Sequence, residues 1–335
     1  MAGELFERGK HLLLKEKYKE AADTFDLVLK GDPQGRLAPV ALIHAGMAYE
    51  GASEPDTALA RYKQLIDGYP KDELVKVALL RSGRVLVHAQ RWPLLQVNAE
   101  ALLARADITV SEAIEANGEK ALALVEQGDD EKAGRFVEKA RDFMEKNHIG
   151  EAGEIPDEVA QVFFALGEVR RVRSEKLKFE PMPANFGDAF EARSQGLLDA
   201  QTAYTDAMRT TDATWATMAG YRVGTLYAQL HKDVTVIQPP PVAKTTKDKQ
   251  LFEGAMRLRY RVLLTKGLKM MDATLRMNER VGEDNAWTAK AREAKANIER
   301  DLAAENAAIA KLPVSEDELK KMLDKLGSAP EKSSK

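Results

Sequence analysis

Histidines, cysteines and carboxylates are the side chains from which a metal centre or an acid–base site would be built. The sequence has no cysteine, which excludes disulfides, thiol catalysis and thiolate metal sites. Its histidines are His11, His44, His88, His148 and His231. No two of them are three or four residues apart, so no helix presents the paired imidazoles of a zinc site. We therefore expect neither a metal nor another cofactor.

Motifs for phosphate binding and nucleophilic catalysis are also missing from the sequence. The segment Gly267-Leu268-Lys269 lacks the upstream glycine and the following Ser or Thr of a phosphate-binding loop. Charged residues make up 31% of the chain, so neighbouring carboxylates are expected by chance. Nothing resembles a nucleophile, a base and a residue that orients the base. These observations predict that the protein is not an enzyme.

The charge balance argues against a nucleic-acid partner. The chain carries 50 basic and 53 acidic residues, and a net charge of −3 gives no bulk attraction to phosphates or anionic lipid. One tight basic cluster is formed by Arg170, Arg171 and Arg173, and Glu168 and Glu175 flank it. A short run of this kind is expected to be a solvated helix face.

A 37-residue repeat is the strongest signal in the chain. Glycines recur at that period, and leucines precede each of them by four residues. These positions are Gly9, Gly46 and Gly83, with Leu5, Leu42 and Leu79. A fixed period of this length predicts stacked supersecondary units, none of which can bury its apolar face alone.

Each repeat reads as two amphipathic helices joined by a short turn. Apolar residues at helical spacing, ended by Gly and Pro, predict helix pairs. The predicted pairs cover 3–15 with 18–30, 38–51 with 55–68, and 73–89 with 92–105. At the crossing of the second pair we expect Gly46 to face Ala58. Strand signals are nearly absent, so the sequence predicts an all-α protein.

The repeat resembles the tetratricopeptide repeat (TPR), which has a small residue at position 8, an aromatic one at 24 and proline at 32. The first two units match with Gly9, Phe25 and Pro33, and with Gly46, Tyr62 and Pro70. The third unit departs from the pattern, because Leu95 stands where the family has alanine and Asp107 where it has proline. Repeats of this length are similar to those of bacterial cell-envelope proteins of the outer-membrane assembly and gliding-motility kind.

The resemblance implies a right-handed superhelix of TPR-like helical hairpins, capped by a long C-terminal helical hairpin. Four regions are predicted. They are TPR-like repeats over 1–147 (three clear, one degenerate), irregular hairpins with proline-containing loops over 148–247, a long hairpin with a short helix over 248–326, and a disordered tail over 327–335.

In a TPR stack the first helix of each hairpin lines the concave groove. Transferred onto this sequence, the resemblance implies a partner-binding set of Phe6, Lys10, Ile43, Met47, Arg84 and His88. The expected partner is a protein or peptide segment with apolar anchors and at least one carboxylate. The carboxylate-clamp subtype has Asn where this chain has Lys10, so its chaperone-tail ligand is not implied. A non-enzymatic scaffold is the main hypothesis, and a small-ligand binder or enzyme built on a helical solenoid is the alternative.

The sequence also indicates where the protein resides. No apolar run approaches the ~20 residues that span a bilayer, so direct membrane insertion is not expected. The N-terminus carries no signal peptide. We expect a cytoplasmic protein if the chain begins at Met1, and a periplasmic one if a leader has been removed. The sequence gives no indication of the oligomeric state.

Overall fold

The computed structural model describes residues 2–150 and 156–327, and those two stretches contain helices and no strand. The chain divides into two compact units, Met1–Glu151 and Ala152–Lys335. The all-α prediction is confirmed. Past residue 327 the predicted disordered tail lies outside the described residues, and the finer division into four regions stays a prediction. No helix within the described stretches has the length and apolar character needed to cross a membrane.

The first unit is a stack of four helical hairpins. Its helices are α1 Ala2–Leu14, α2 Tyr18–Gly31, α3 Ala38–Gly51, α4 Pro55–Gly68, α5 Leu74–His88, α6 Trp92–Leu103, α7 Val110–Glu126 and α8 Asp130–Lys146. The six helices predicted in the first three repeats are confirmed, with ends that shift by at most two residues. The first helix of each hairpin (α1, α3, α5 and α7, called the A helices here) also contacts the next A helix. The right-handed sense of the superhelix stays a prediction.

Each hairpin turns on a residue with left-handed backbone. Glu16, Ser53 and Gln90 have φ angles of 56°, 59° and 56°, and they lie one repeat apart. Gly128, with φ of 91°, takes the same place in the fourth hairpin. This conformation brings a side chain close to the following carbonyl, so glycine adopts it at the lowest cost. The fourth hairpin therefore has the turn residue that the first three lack.

The repeated glycines allow the two helices of a hairpin to cross closely. A Cβ on Gly9 would lie 2.7 Å from the ring of Phe25, and a Cβ on Gly46 would overlap the ring of Tyr62. The expectation that Gly46 faces Ala58 is thus corrected. The atoms nearest to Gly46 belong to the aromatic residue one turn further along α4, because a flat ring fills the space that the missing side chain leaves.

The third hairpin uses a different contact. At the place of the aromatic residue it has Ala99, and the carboxyl group of Glu119 on α7 lies against Gly83 instead. The glycine of this repeat therefore packs against the following hairpin, not against its own second helix.

The second unit contains longer helices. They are α9 Ala160–Glu175, α10 Phe186–Met208, α11 Ala213–Thr235, α12 Thr246–Val281, α13 Ala286–Ala310 and α14 Glu316–Gly327. Helices that follow each other from α9 to α13 pack together, and α11 also contacts α13. Helices α12 and α13 form the predicted long C-terminal hairpin. It reverses after Gly282, whose φ of 73° ends α12.

The basic cluster predicted to be a solvated face is partly internal, and that expectation was wrong for Arg171. Glu168 is fully buried and accepts hydrogen bonds from Arg171 Nη2 at 2.6 Å and from Tyr204 Oη at 2.7 Å. Arg222 Nε lies 2.6 Å from the same carboxylate. Burial alone would raise the pKa of Glu168, but the charges of Arg222 and Arg171 lower it overall. Arg171 thus neutralises a buried carboxylate.

Candidate functional site

Three side chains at equivalent repeat positions form a row across the first unit. Lys10, Met47 and Arg84 are one repeat apart on α1, α3 and α5, and these helices contact one another in that order. The side chains of Lys10 and Arg84 are 40% and 61% exposed, and Met47 is half-buried. His88 is exposed in the last turn of α5. We call these four residues the A-helix face.

The other two predicted partner-binding residues lie beneath this face. Phe6 and Ile43 are only 7% and 4% exposed, and both belong to the same hydrophobic cluster. The ring centroid of Phe6 is 5.7 Å from that of Phe25, and Lys10 Nζ lies 5.4 Å from the Phe6 ring centroid. The structure therefore places Phe6 and Ile43 in the apolar floor. Their contact with a partner stays a prediction.

Both cations of the row have a carboxylate beside them. Lys10 Nζ lies 2.9 Å from Glu7 Oε1 one turn earlier, and both side chains are exposed, so this pair adds little to stability. Arg84 Nε donates to Oε1 of the buried Glu115 on α7 at 2.9 Å. The guanidinium of Arg84 is therefore held in one orientation, while most of its side chain faces solvent.

A second arginine–carboxylate pair joins α3 to α5. Arg81 Nη1 donates to Glu50 Oε2 at 3.2 Å, and Glu50 also accepts from Tyr62 Oη. Burial raises the pKa of Glu50 against the opposing effects of Tyr62 and Arg81. This pair was not predicted from the sequence, because its two residues lie 31 positions apart on different helices.

A half-buried histidine, His44, lies close enough to Lys10 and Arg81 to feel both charges. The ring of His44 stacks on Phe25 at a centroid distance of 5.4 Å, and its Nδ1 has no hydrogen-bond partner among the described residues. Burial lowers the pKa of His44, and the charges of Lys10 and Arg81 lower it further. The imidazole is therefore neutral near pH 7, in surroundings whose potential favours an added negative charge.

Nothing in the described stretches has the geometry of a metal site, since no group of three or more His, Cys, Asp or Glu residues converges there. The arrangement suits the binding of a ligand. It combines buried apolar side chains (Phe6 and Ile43, the apolar floor) with a half-buried methionine and two separated cations.

Comparisons with known proteins give only structural similarities. The sequence matches no protein-family model and no curated protein. A tetratricopeptide repeat protein from Parabacteroides merdae is similar over 89% of this chain and 98% of its own, with 12% identity and a TM-score of 0.46. The C-terminal part of a TPR repeat-containing protein from Cytophaga hutchinsonii covers 94% and 98%, with 14% identity and a TM-score of 0.40. The structure of the human IFIT1 dimer with m7Gppp-AAAA is similar over 98% of this chain and 73% of its own, with 13% identity and a TM-score of 0.43.

Proposed function

We propose that this protein is a non-enzymatic scaffold that binds a segment of a partner protein on the A-helix face. The observation that carries the proposal is the row of Lys10, Met47 and Arg84, in which a half-buried methionine lies between two exposed cations above an apolar floor. Methionine adapts its shape to different apolar surfaces, and such surfaces recur at protein-binding sites. A peptide-like or helical segment with an apolar anchor for Met47 fits this arrangement.

Charge complementarity gives the partner its second property. Lys10 and Arg81 both act on His44 of α3, and Glu115 of α7 orients Arg84, so positive charge lies along the face from α1 to α5. A carboxylate at one or both ends of the docked segment would pair with Lys10 or Arg84 and fix its register. Because few charges take part, we expect the affinity to depend only modestly on salt.

The setting of the scaffold is part of the same proposal. The repeat length is similar to that of envelope and motility TPR proteins, so we place the partner within a bacterial envelope or motility complex. A nucleic-acid partner is disfavoured by the net charge of −3, and its exclusion stays a prediction.

The test begins with capture of the partner from cells of the source organism, followed by affinity measurements on the double variant Lys10→Glu with Met47→Ala. These changes leave the pair of Arg84 and Glu115 intact, whereas Arg84→Glu would place a second carboxylate beside a buried one. We expect a folded variant whose affinity falls at least tenfold, which is about 1.4 kcal/mol.

A matched control also reverses one lysine charge and truncates one apolar side chain to alanine, on the second helices of hairpins in the same unit. Lys63→Glu with Leu27→Ala alters exposed residues of α4 and α2, and the affinity should stay as in the parent protein. The proposal fails if the folded Lys10→Glu, Met47→Ala variant binds as tightly as the control.

A further inference from the structure

The second unit contains a cleft that the proposed scaffold function does not use. It has a volume of ≈ 700 Å³ and is an open cleft lined by residues of α11 and α13. The wall from α13 presents Glu293, Asn297, Asp301 and Glu305 at intervals of four residues, which puts them on one side of that helix. His231 contributes from α11.

Two buried polar atoms at this cleft have no partner in the part of the chain that the structure describes. His231 and Glu305 are 5% and 8% exposed, and neither His231 Nε2 nor Glu305 Oε2 makes a hydrogen bond to a described residue. The other oxygen, Glu305 Oε1, accepts from Arg257 Nη1 at 2.7 Å and lies 3.9 Å from His231 Nε2. A buried acceptor without a partner destabilises the fold, so a group that donates to both atoms would gain more here than at an exposed site.

The chemistry of these two atoms selects a donor. A carboxylate oxygen can only accept. Burial lowers the pKa of His231, against the raising effect of Glu305 and Asp301 and with a smaller lowering by Arg257, so its imidazole is neutral at pH 7 and Nε2 can accept in one tautomer. In that tautomer, a ligand with at least two N–H groups, such as an ammonium or a guanidinium, can donate to both atoms.

The charged groups at the cleft are balanced. Three carboxylates line it, from Glu293, Asp301 and Glu305, with the two lysines Lys232 and Lys290, and Glu305 is paired with Arg257. Lys290 Nζ lies 4.1 Å from the ring centroid of Trp287, so this ammonium already has an aromatic face beside it.

We propose that the cleft between α11 and α13 binds an organic cation, whose ammonium or guanidinium group donates to Glu305 Oε2 and His231 Nε2. Small side chains such as Ala228 and Ala294 line the same cleft and leave room for an alkyl chain. The cation belongs either to a free diamine or to a lysine or arginine side chain. The proposal is independent of the A-helix face, because all of its residues lie in the second unit.

Calorimetric titration of the full chain tests the proposal. The probes are cadaverine and agmatine as free cations, and an acetylated tripeptide amide with one central lysine. 1-Pentanol and glutarate are the neutral and anionic controls. We expect saturable binding of at least one cation and none of either control. Tighter binding of cadaverine or agmatine indicates a free ligand, and tighter binding of the peptide indicates a side chain. No saturable binding of any cation, or equal binding of 1-pentanol, overturns the proposal.

Two variants locate the binding site. Ala304→Trp fills the cleft without changing a charge, and should weaken cation binding at least tenfold. Ala303→Trp is its matched control on the same helix: Ala303 is exposed like Ala304 but does not line the cleft, so its affinity should stay unchanged. Glu305→Gln should also weaken binding at least tenfold. If loss of the pair with Arg257 unfolds that variant, Ala304→Trp decides. A folded Ala304→Trp variant with parental affinity refutes the site.

Discussion

Two buried glutamates show how strongly one residue type depends on its neighbours. Glu168 is surrounded by Arg171, Arg222 and Tyr204, and its pKa is lowered overall. Glu119 is equally buried, but its Oε2 has no hydrogen-bond partner among the described residues. Burial raises the pKa of Glu119 well above its ordinary value, and the charge of Glu115 raises it further. The folded chain therefore stabilises the charged form of one carboxyl group and the neutral form of the other.

Replacing Glu119 with glutamine should stabilise the protein, and the gain should grow with pH. A raised pKa means that the contribution of Glu119 is fully present below the ordinary value of 4.5 and is lost as pH rises from there. At pH 4 we expect the variant and the parent not to differ in the pH-dependent part of their free energy of unfolding. At pH 8 the variant should be the more stable protein, because the folded chain disfavours the ionised form of Glu119 that the unfolded chain carries there.

Urea unfolding at pH 4, 6 and 8 measures this effect. The exposed Glu138 on α8 provides the control substitution Glu138→Gln, made and measured in the same way. If the stability difference for Glu119→Gln is constant across the three pH values, the carboxyl group does not become harder to ionise on folding.

At the scale of the elements, the hairpin turns repeat as regularly as the helices. Residues of three different types, Glu16, Ser53 and Gln90, adopt the left-handed conformation at the same repeat position, and Gly128 does so in the fourth hairpin. The turn geometry is therefore imposed by the packing of the two helices, not by the residue that forms the turn.

Gln90→Gly should stabilise the third hairpin, because a residue other than glycine pays roughly 1–2 kcal/mol in this conformation. Part of that gain is lost to the greater freedom of glycine in the unfolded chain, so we expect a net gain of about 0.5–1 kcal/mol and a higher melting temperature. The reverse substitution in the fourth hairpin, Gly128→Ala, should lower the melting temperature. Its added Cβ would meet no other atom within 4 Å, so only backbone strain can act. Shifts of the same sign in both variants would contradict this explanation.

The carboxylate of Glu168 joins three helices, since its partners lie on α9, α10 and α11. Glu168→Gln removes the buried charge that Arg171 and Arg222 share and should cost about 3–5 kcal/mol. A lowered pKa means that the stabilisation by Glu168 is present above the ordinary pKa and is lost as pH falls. The parent protein should thus lose part of its advantage over the variant on acidification.

Glu175→Gln is the matched control, because Glu175 accepts from Arg171 but is partly exposed. It should cost no more than about 1 kcal/mol. Chemical denaturation at pH 7 and pH 4 separates these outcomes. Equal costs for the two substitutions would mean that the buried network adds nothing beyond an ordinary surface pair.

The helices could be predicted from the sequence because Gly, Pro and the 37-residue period mark where they begin and end. The contacts between helices were harder to predict from the sequence. Arg171 was expected on a solvated face because its nearest neighbours in sequence are charged, yet Tyr204 and Arg222, which complete its network, are on other helices. Similarly, the repeat register brought Phe6 and Ile43 to the groove, but their burial depends on neighbouring helices that the register does not describe.

At the scale of the whole molecule, stability should be local. Each compact unit has its own hydrophobic contacts, and in a repeat protein a hairpin contacts mainly its neighbours. A defect in one hairpin is therefore expected to weaken the adjacent hairpins more than distant ones.

Gly46→Leu tests this expectation, because the new side chain would overlap the buried ring of Tyr62. Overpacking of this kind costs ~1–3 kcal/mol, despite the better helix propensity of leucine. Hydrogen exchange followed by mass spectrometry should show faster exchange in α1 to α6 and unchanged protection in α9 to α13.

Gly31→Leu is the control, since a side chain at Gly31 would meet no other atom within 4 Å. It should leave exchange in the first unit as slow as in the parent. Equal acceleration in both units by Gly46→Leu would show that the chain opens as a single cooperative body.

The contact between Glu119 and Gly83 also affects the order in which the hairpins fold during synthesis. Phe25 follows Gly9 by 16 residues and Tyr62 follows Gly46 by the same interval, whereas Glu119 follows Gly83 by 36. Domains made from the N-terminus acquire structure as they emerge from the ribosome. The first two hairpins can therefore close as soon as their own second helix has emerged. The glycine contact of the third hairpin forms only when the first helix of the fourth has emerged, so a pause in translation between residues 99 and 119 would leave this one contact open while the first two hairpins are finished.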